Sequence, residues 1–131
     1  MALWFSRLFV GVVFAWNLQC ALVFLIRPAV FAPGFQLSGA IGEAVLRSLG
    51  VLFLMWNVPY GVAMWHPGRH RVALLEALVM QVIGLVGESW IYSTLPAVEY
   101  TVVRQSLARF IVFDAIGLAA LLLAAWLSRK S

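Results

Sequence analysis

Glu88 lies within "GLVGESW", residues 84–90, in a stretch otherwise oily enough to cross a bilayer. An ionised carboxylate at such depth is costly, and ionisable groups inside membranes are commonly functional. Asp114, in "RFIVFDAIG", is the second acid of this kind, and Arg47 and Arg109 are basic residues placed just inside apolar segments. Counted from the segment ends, these four share one outer-half layer of two cations and two anions. Such a layer supports two chemistries. The acids could accept protons or hold a polar ligand, or the set could neutralise itself and fix helix register. An arginine at the depth of Glu88 offers a forked donor, so Glu88 is expected to pair with Arg47 or Arg109, and both acids are expected to be ionised.

Three further polar groups lie nearer the other face: Asn57, Gln81 and, somewhat deeper, Asn17. Amides hydrogen-bond between membrane helices, each contributing on average about 0.6 kcal/mol, and packing is the simpler role for them. Pro59 in "NVPYG" frees the carbonyl of Met55, which predicts a kink relieved by Asn57 or Tyr60. Along the second segment, Glu43, Arg47, Gly50, Leu54, Asn57 and Gly61 step by three and four, which predicts one stripe facing the helix bundle. Glu43 precedes Arg47 by four residues, the better order for a helical ion pair. Gln81, Gly84, Glu88 and Tyr92 predict a similar stripe on the third segment, so Tyr92 joins the candidate set. Arg109 and Asp114, five apart, lie roughly 140° round their helix and are expected to reach different neighbours.

No arrangement points to a catalytic residue or a metal. His66 and His70 flank "PGR", where Pro67 and Gly68 break the helical turn that an i, i+4 metal pair needs, and no third ligand is near. One cysteine, Cys20, allows neither an internal disulfide nor a dithiol relay. No cofactor is predicted; a quinone or a lipid remains an open ligand.

The elements that position these groups follow from composition. Of 131 residues, 64% are hydrophobic and 11% charged, with mean hydropathy +0.99. Ordinary globular domains are roughly 45–50% apolar and about 25% charged. Charge-free runs at 8–26, 48–65 and 115–127 approach the roughly 20 residues that span a bilayer core. The expected fold is all-α: an integral membrane four-helix bundle in one domain, up-down-up-down, with helices at about 6–26, 43–65, 72–94 and 105–127. The first apolar run is longer than a secretory signal core, and no small-residue cleavage site follows, so it is expected to stay in the mature protein.

The net charge of +4 comes from residues at helix ends and short loops. That pattern reflects membrane topology, and no nucleic-acid partner is expected. Arg7, Arg69, Arg71, Arg129 and Lys130 fall on one side; Arg27 and Arg104, with Arg47 and Arg109 just inside helices, fall on the other. The positive-inside rule then predicts N-in/C-in, in the cytoplasmic (inner) membrane if the source is bacterial. The long first loop, residues 27–42, carries Pro28, Phe31, Pro33, Gly34 and Phe35. Its aromatic residues either anchor it in the membrane interface or fold it over the bundle end as a lid.

"SRLFVG", with Arg7-x3-Gly11, a first helix ending at Pro28, and Glu43-x3-Arg47-x2-Gly50 opening the second together resemble the DoxX-like group of small four-helix membrane proteins. The resemblance covers the first half of the chain. It implies a four-helix bundle and, for some members, association with quinone-linked redox complexes; it carries over no catalytic residue. The expected function is an accessory subunit of a membrane complex, or a binder of a small amphiphile such as a quinone or lipid. The alternative is a membrane enzyme or carrier using Glu88 and Asp114 as proton acceptors. Expected partners are the lipid bilayer and a membrane protein or second copy of the chain.

Overall fold

A computed structural model of the chain describes residues 1–129; Lys130, counted above with the basic residues of one side, lies outside them. Four helices carry almost all of the described chain: α1 (Ala2–Ile26), α2 (Gly39–Trp65), α3 (Arg71–Thr94) and α4 (Thr101–Ser128). No strand occurs among the described residues. Each helix is long and apolar enough to cross a membrane. Large apolar side chains such as Val58, Leu75, Val86 and Val112 stand exposed along them. In water this surface would be a liability; against lipid it is matched. The chain is an integral membrane protein by the length and composition of its helices.

The helix ends at 26, 65 and 94 agree with the sequence reading, but α1, α2 and α4 each begin about one turn earlier than expected. The length needed to cross lipid sets only a minimum, and the helices run about a turn beyond it, into residues 2–5, 39–42 and 101–104. On α2 the buried residues are Gly42, Leu46, Gly50, Asn57, Tyr60 and Ala63. Glu43 and Arg47 therefore stand about 100° off the buried face, one residue's rotation, and not on it as expected. They form an ion pair at 3.6 Å with the Arg47 side chain 54% exposed.

Helix α1 packs on α2 and α4, and α3 on α4, while α2 and α3 meet least. Small residues permit the tightest contact. A Cβ placed on Gly50 would stand 2.9 Å from both the Ala21 carbonyl oxygen and the Leu25 amide nitrogen of α1. Two hydrogen bonds tie one end of the bundle. Ser6 Oγ donates to the Ala124 carbonyl at 2.8 Å, and Arg7 Nε donates to the Met64 carbonyl at 3.3 Å. The Met64 carbonyl lies in the last turn of α2, where carbonyls lack intrahelical partners.

The opposite end is closed by the first loop. It folds into two 3-10 turns, Pro28–Val30 and Ala32–Phe35. Phe31 and Phe35 pack edge-on against Phe24, at centroid distances of 4.5 and 6.3 Å. Phe53 and Phe110 complete the cluster. Ser106 Oγ of α4 donates to the Gly34 carbonyl at 2.7 Å and pins the loop down. The loop thus folds over the bundle end. Beside it, Arg104 donates to the carbonyls of Tyr92 and Leu95 and lies over the Tyr92 ring, 3.9 Å from its centroid.

Candidate functional site

Below the phenylalanine cluster the four helices enclose a cavity of about 300 Å³. Every helix contributes: Asn17 and Cys20 from α1; Phe53, Trp56, Asn57 and Tyr60 from α2; Met80, Gln81, Gly84 and Glu88 from α3; Phe110, Phe113 and Asp114 from α4. These positions recur at helical spacing, which is why one face of each helix supplies its share. On the α2–α3 side the wall is made by Trp56, 51% exposed, and Ile83, 65% exposed. The cavity therefore opens sideways between these two helices.

One residue from each polar layer read from the sequence, Gln81 and Asp114, is joined to the other in a chain that also takes in Tyr60. Tyr60 on α2 donates from its hydroxyl to Gln81 Oε1 on α3 at 2.7 Å. Gln81 Nε2 donates in turn to Asp114 Oδ1 on α4 at 2.9 Å. One side chain, 3% exposed, thus joins three helices. Two glycines leave it room. A Cβ on Gly84 would lie 2.6 Å from Asp114 Oδ2, and one on Gly117 would lie 2.7 Å from Gln81 Nε2. Asn57 Nδ2 donates to the Phe53 carbonyl at 2.8 Å. With Tyr60 committed to α3, neither residue serves the carbonyl that Pro59 frees, contrary to the expectation from sequence.

Glu88 does not pair with an arginine. Among the described residues the one ion pair is Arg47 with Glu43, and Glu88 Oε2 is buried without a hydrogen-bond partner. The reason is rotational. Arg109 is at a suitable depth but lines a separate cavity beneath the first loop, with Gln19, Phe31 and Ser106. Phe110 and Phe113 form the wall between the two. The other carboxylate lining the cavity with Glu88 is Asp114. The expected self-neutralised layer is instead an acidic recess, and the expectation that arginines keep both acids ionised loses its basis.

Of the eight residues singled out from sequence, the cavity brings together Asn57, Gln81, Glu88 and Asp114. Glu43 and Arg47 stand on the flank of α2, Arg109 faces the adjoining cavity, and Tyr92 lies under Arg104. The wall residues missed were Cys20, Phe53, Trp56, Phe110 and Phe113. Their signal was present as helical spacing to a polar residue: Cys20 is three from Asn17, and Phe53 four from Asn57. Asn57 also borders a shallower, mostly apolar groove with Phe14, Leu18 and Val62. No group of three His, Cys, Asp or Glu side chains among the described residues is placed to hold a metal ion.

Fold and site together define a class: an integral membrane protein of four long helices with an acidic cavity between them. Compared with family models, curated proteins and solved structures, the chain matches none.

Proposed function

We propose that this chain is a multi-pass membrane protein whose interhelical cavity binds a small amphiphile reaching it from the lipid. The observation that carries this reading is the wall of the cavity: Asn57 Oδ1 and Glu88 Oε2 are buried and without partners. Buried polar atoms left unsatisfied each cost roughly 1–3 kcal/mol, more if charged, and a bound polar group relieves that cost. The aromatic remainder of the wall suits an apolar body, as ligand sites commonly do. A quinone relieves the two unpaired acceptors poorly, because its carbonyls only accept and would pair with Glu88 only if that acid were protonated; Asn17 and Trp56 are the N–H donors the wall has for it. A lipid or other amphiphile bearing a donor group needs no such proton. Native mass spectrometry of protein extracted in mild detergent tests the reading. A bound small molecule is expected, and its loss in a variant with the cavity filled by Gly84→Leu assigns it to this site. Protein that carries no ligand and takes up none from added lipid extract would overturn the reading.

A second reading has one specific observation in its favour. With no ion pair to Glu88 or Asp114 among the described residues, either acid can act as a proton acceptor for a carrier. An accessory role in a membrane complex would add a protein neighbour at the lipid-facing sides of the helices; the DoxX-like resemblance, carried by Arg7, Gly11, Glu43, Arg47 and Gly50, points the same way.

The topology belonging to this proposal is up-down-up-down with both termini cytoplasmic, in the inner membrane if the source is bacterial. It is supported by Arg7, Arg69, Arg71 and Arg129 on one side. In a Cys20→Ala background, Gln36→Cys is expected to react with a membrane-impermeant maleimide in intact cells, and Arg69→Cys only after the cells are opened. The reverse pattern would invert the orientation.

A further inference from the structure

We infer that the ligand of this cavity is a small organic cation, an ammonium group carried on an apolar or aromatic body. This rests on the reading of the cavity as a ligand site and adds the ligand's charge. The argument is an inventory of donors. The Tyr60 hydroxyl is used by Gln81, the Gln81 amide by Asp114, and the Asn57 amide by the Phe53 carbonyl. That last bond also fixes which way the Asn57 amide points, since a carbonyl must face its nitrogen. Two acceptors on residues of the wall remain buried and unpaired, Asn57 Oδ1, on a side chain 4% exposed, and Glu88 Oε2, while Asn17 and Trp56 bring N–H donors to the same wall. Asp114 adds a second acid on the opposite helix.

No basic residue lines this cavity. Its ionisable groups are Cys20, Tyr60, Glu88 and Asp114, while Arg109 stands beyond Phe110 and Phe113 and Arg47 holds Glu43. A neutral ligand that only accepts would leave Asn57 Oδ1 and Glu88 Oε2 unpaired, and an anion would meet two acids. A cationic ammonium supplies the missing charge, and one that bears N–H supplies the missing donors as well. The faces of Phe53, Trp56, Phe110 and Phe113 add the attraction that aromatic rings exert on cations. A bare metal ion would leave most of the about 300 Å³ unfilled and meet few oxygens.

Benzyltrimethylammonium and neopentylbenzene, which differ by N⁺ for C, separate charge from shape. Titrated calorimetrically into the protein in a maltoside detergent, the cation is expected to bind roughly tenfold or more tightly than its neutral isostere. Glu88→Gln, which keeps the shape, is expected to bring the ratio close to one, with Asp114→Asn lowering it in part. Should these variants not fold, Cys20 on the cavity wall of the unaltered protein gives a second measurement. The cation is expected to slow its alkylation by N-ethylmaleimide more than the isostere does at equal concentration. Competition by a phosphocholine amphiphile assigns the cation to a lipid headgroup, and its absence assigns a free molecule; either supports the inference. Equal binding of the two isosteres overturns it and leaves the amphiphile reading standing. If neither compound binds or protects, both readings fall.

Discussion

Gln81→Leu is expected to lower the stability of the folded bundle by roughly 1–3 kcal/mol, because one substitution takes the donor from Asp114 and the shorter acceptor from Tyr60. Tyr60 loses the shorter of its two acceptors and keeps the Ala77 carbonyl at 3.2 Å, and Asp114 loses the donor to Oδ1. Leucine matches the volume closely, so the loss reports hydrogen bonding and charge more than packing. The check is the unfolding midpoint in detergent, followed by tryptophan fluorescence against denaturant. Two companions make the result specific. Replacing Gln81 and Asp114 together with leucine is expected to recover part of the loss, since both ends of the bond then go. Gly117→Ala, whose new Cβ would stand 2.7 Å from Gln81 Nε2, is expected to destabilise the wild type but have little effect on Gln81→Leu. A Gln81→Leu protein as stable as the parent would show that the three-helix link contributes nothing.

Gly50→Val is expected to cost about 1–3 kcal/mol or more, the usual range for overpacking. Here the opposing atoms are backbone, the Ala21 carbonyl oxygen and the Leu25 amide nitrogen, each 2.9 Å from the added Cβ. Backbone cannot rotate aside as a side-chain tip can, so α1 and α2 must separate. Gly87 is the internal comparison, because a Cβ there meets nothing within 4 Å. Gly87→Ala is expected to leave stability unchanged or raise it by up to about 1 kcal/mol, the difference in helix propensity. Equal midpoints for the Gly50 and Gly87 variants would remove the argument that close approach at Gly50 holds the two helices together.

These expectations show how far the residues alone could lead. Spans 8–26 and 48–65 were legible because lipid demands about 20 apolar residues in a row, and α1 and α2 enclose both. Depth along each helix was legible too, by counting from the ends. Rotation was not. Arg47 and Glu88 were matched by depth, yet one residue's rotation places Gly42 and Leu46 on the buried face of α2 and leaves Arg47 with Glu43. The Arg109–Asp114 spacing did foretell two different surroundings. It could not say which of them Glu88 would share, because that depends on how α3 and α4 turn toward each other. Gln81 and Glu88 were placed correctly on one stripe, whereas the link through Tyr60 crossed helices and left no mark in spacing. The first loop left its two outcomes open because both bury phenylalanine, and its fold over the bundle end rests on Phe24 and Phe110 lying within reach.

The phenylalanine cluster over the bundle end has a thermodynamic consequence for anything that enters. Phe53 and Phe110 belong both to that cluster and to the wall below it, so the plug is also the cavity's ceiling, and the open side faces hydrocarbon at Trp56 and Ile83. A solute that enters by this side dissolves in the membrane before it binds, and the bilayer becomes its reservoir. Affinity referred to the water phase therefore contains the solute's partition coefficient as a factor. Within a series of compounds, each tenfold gain in partitioning contributes about 1.4 kcal/mol to the aqueous value with no change in any contact made inside. Selectivity measured from water would rank compounds first by their solubility in lipid, and only the remainder would belong to Glu88, Asp114 and the rings around them.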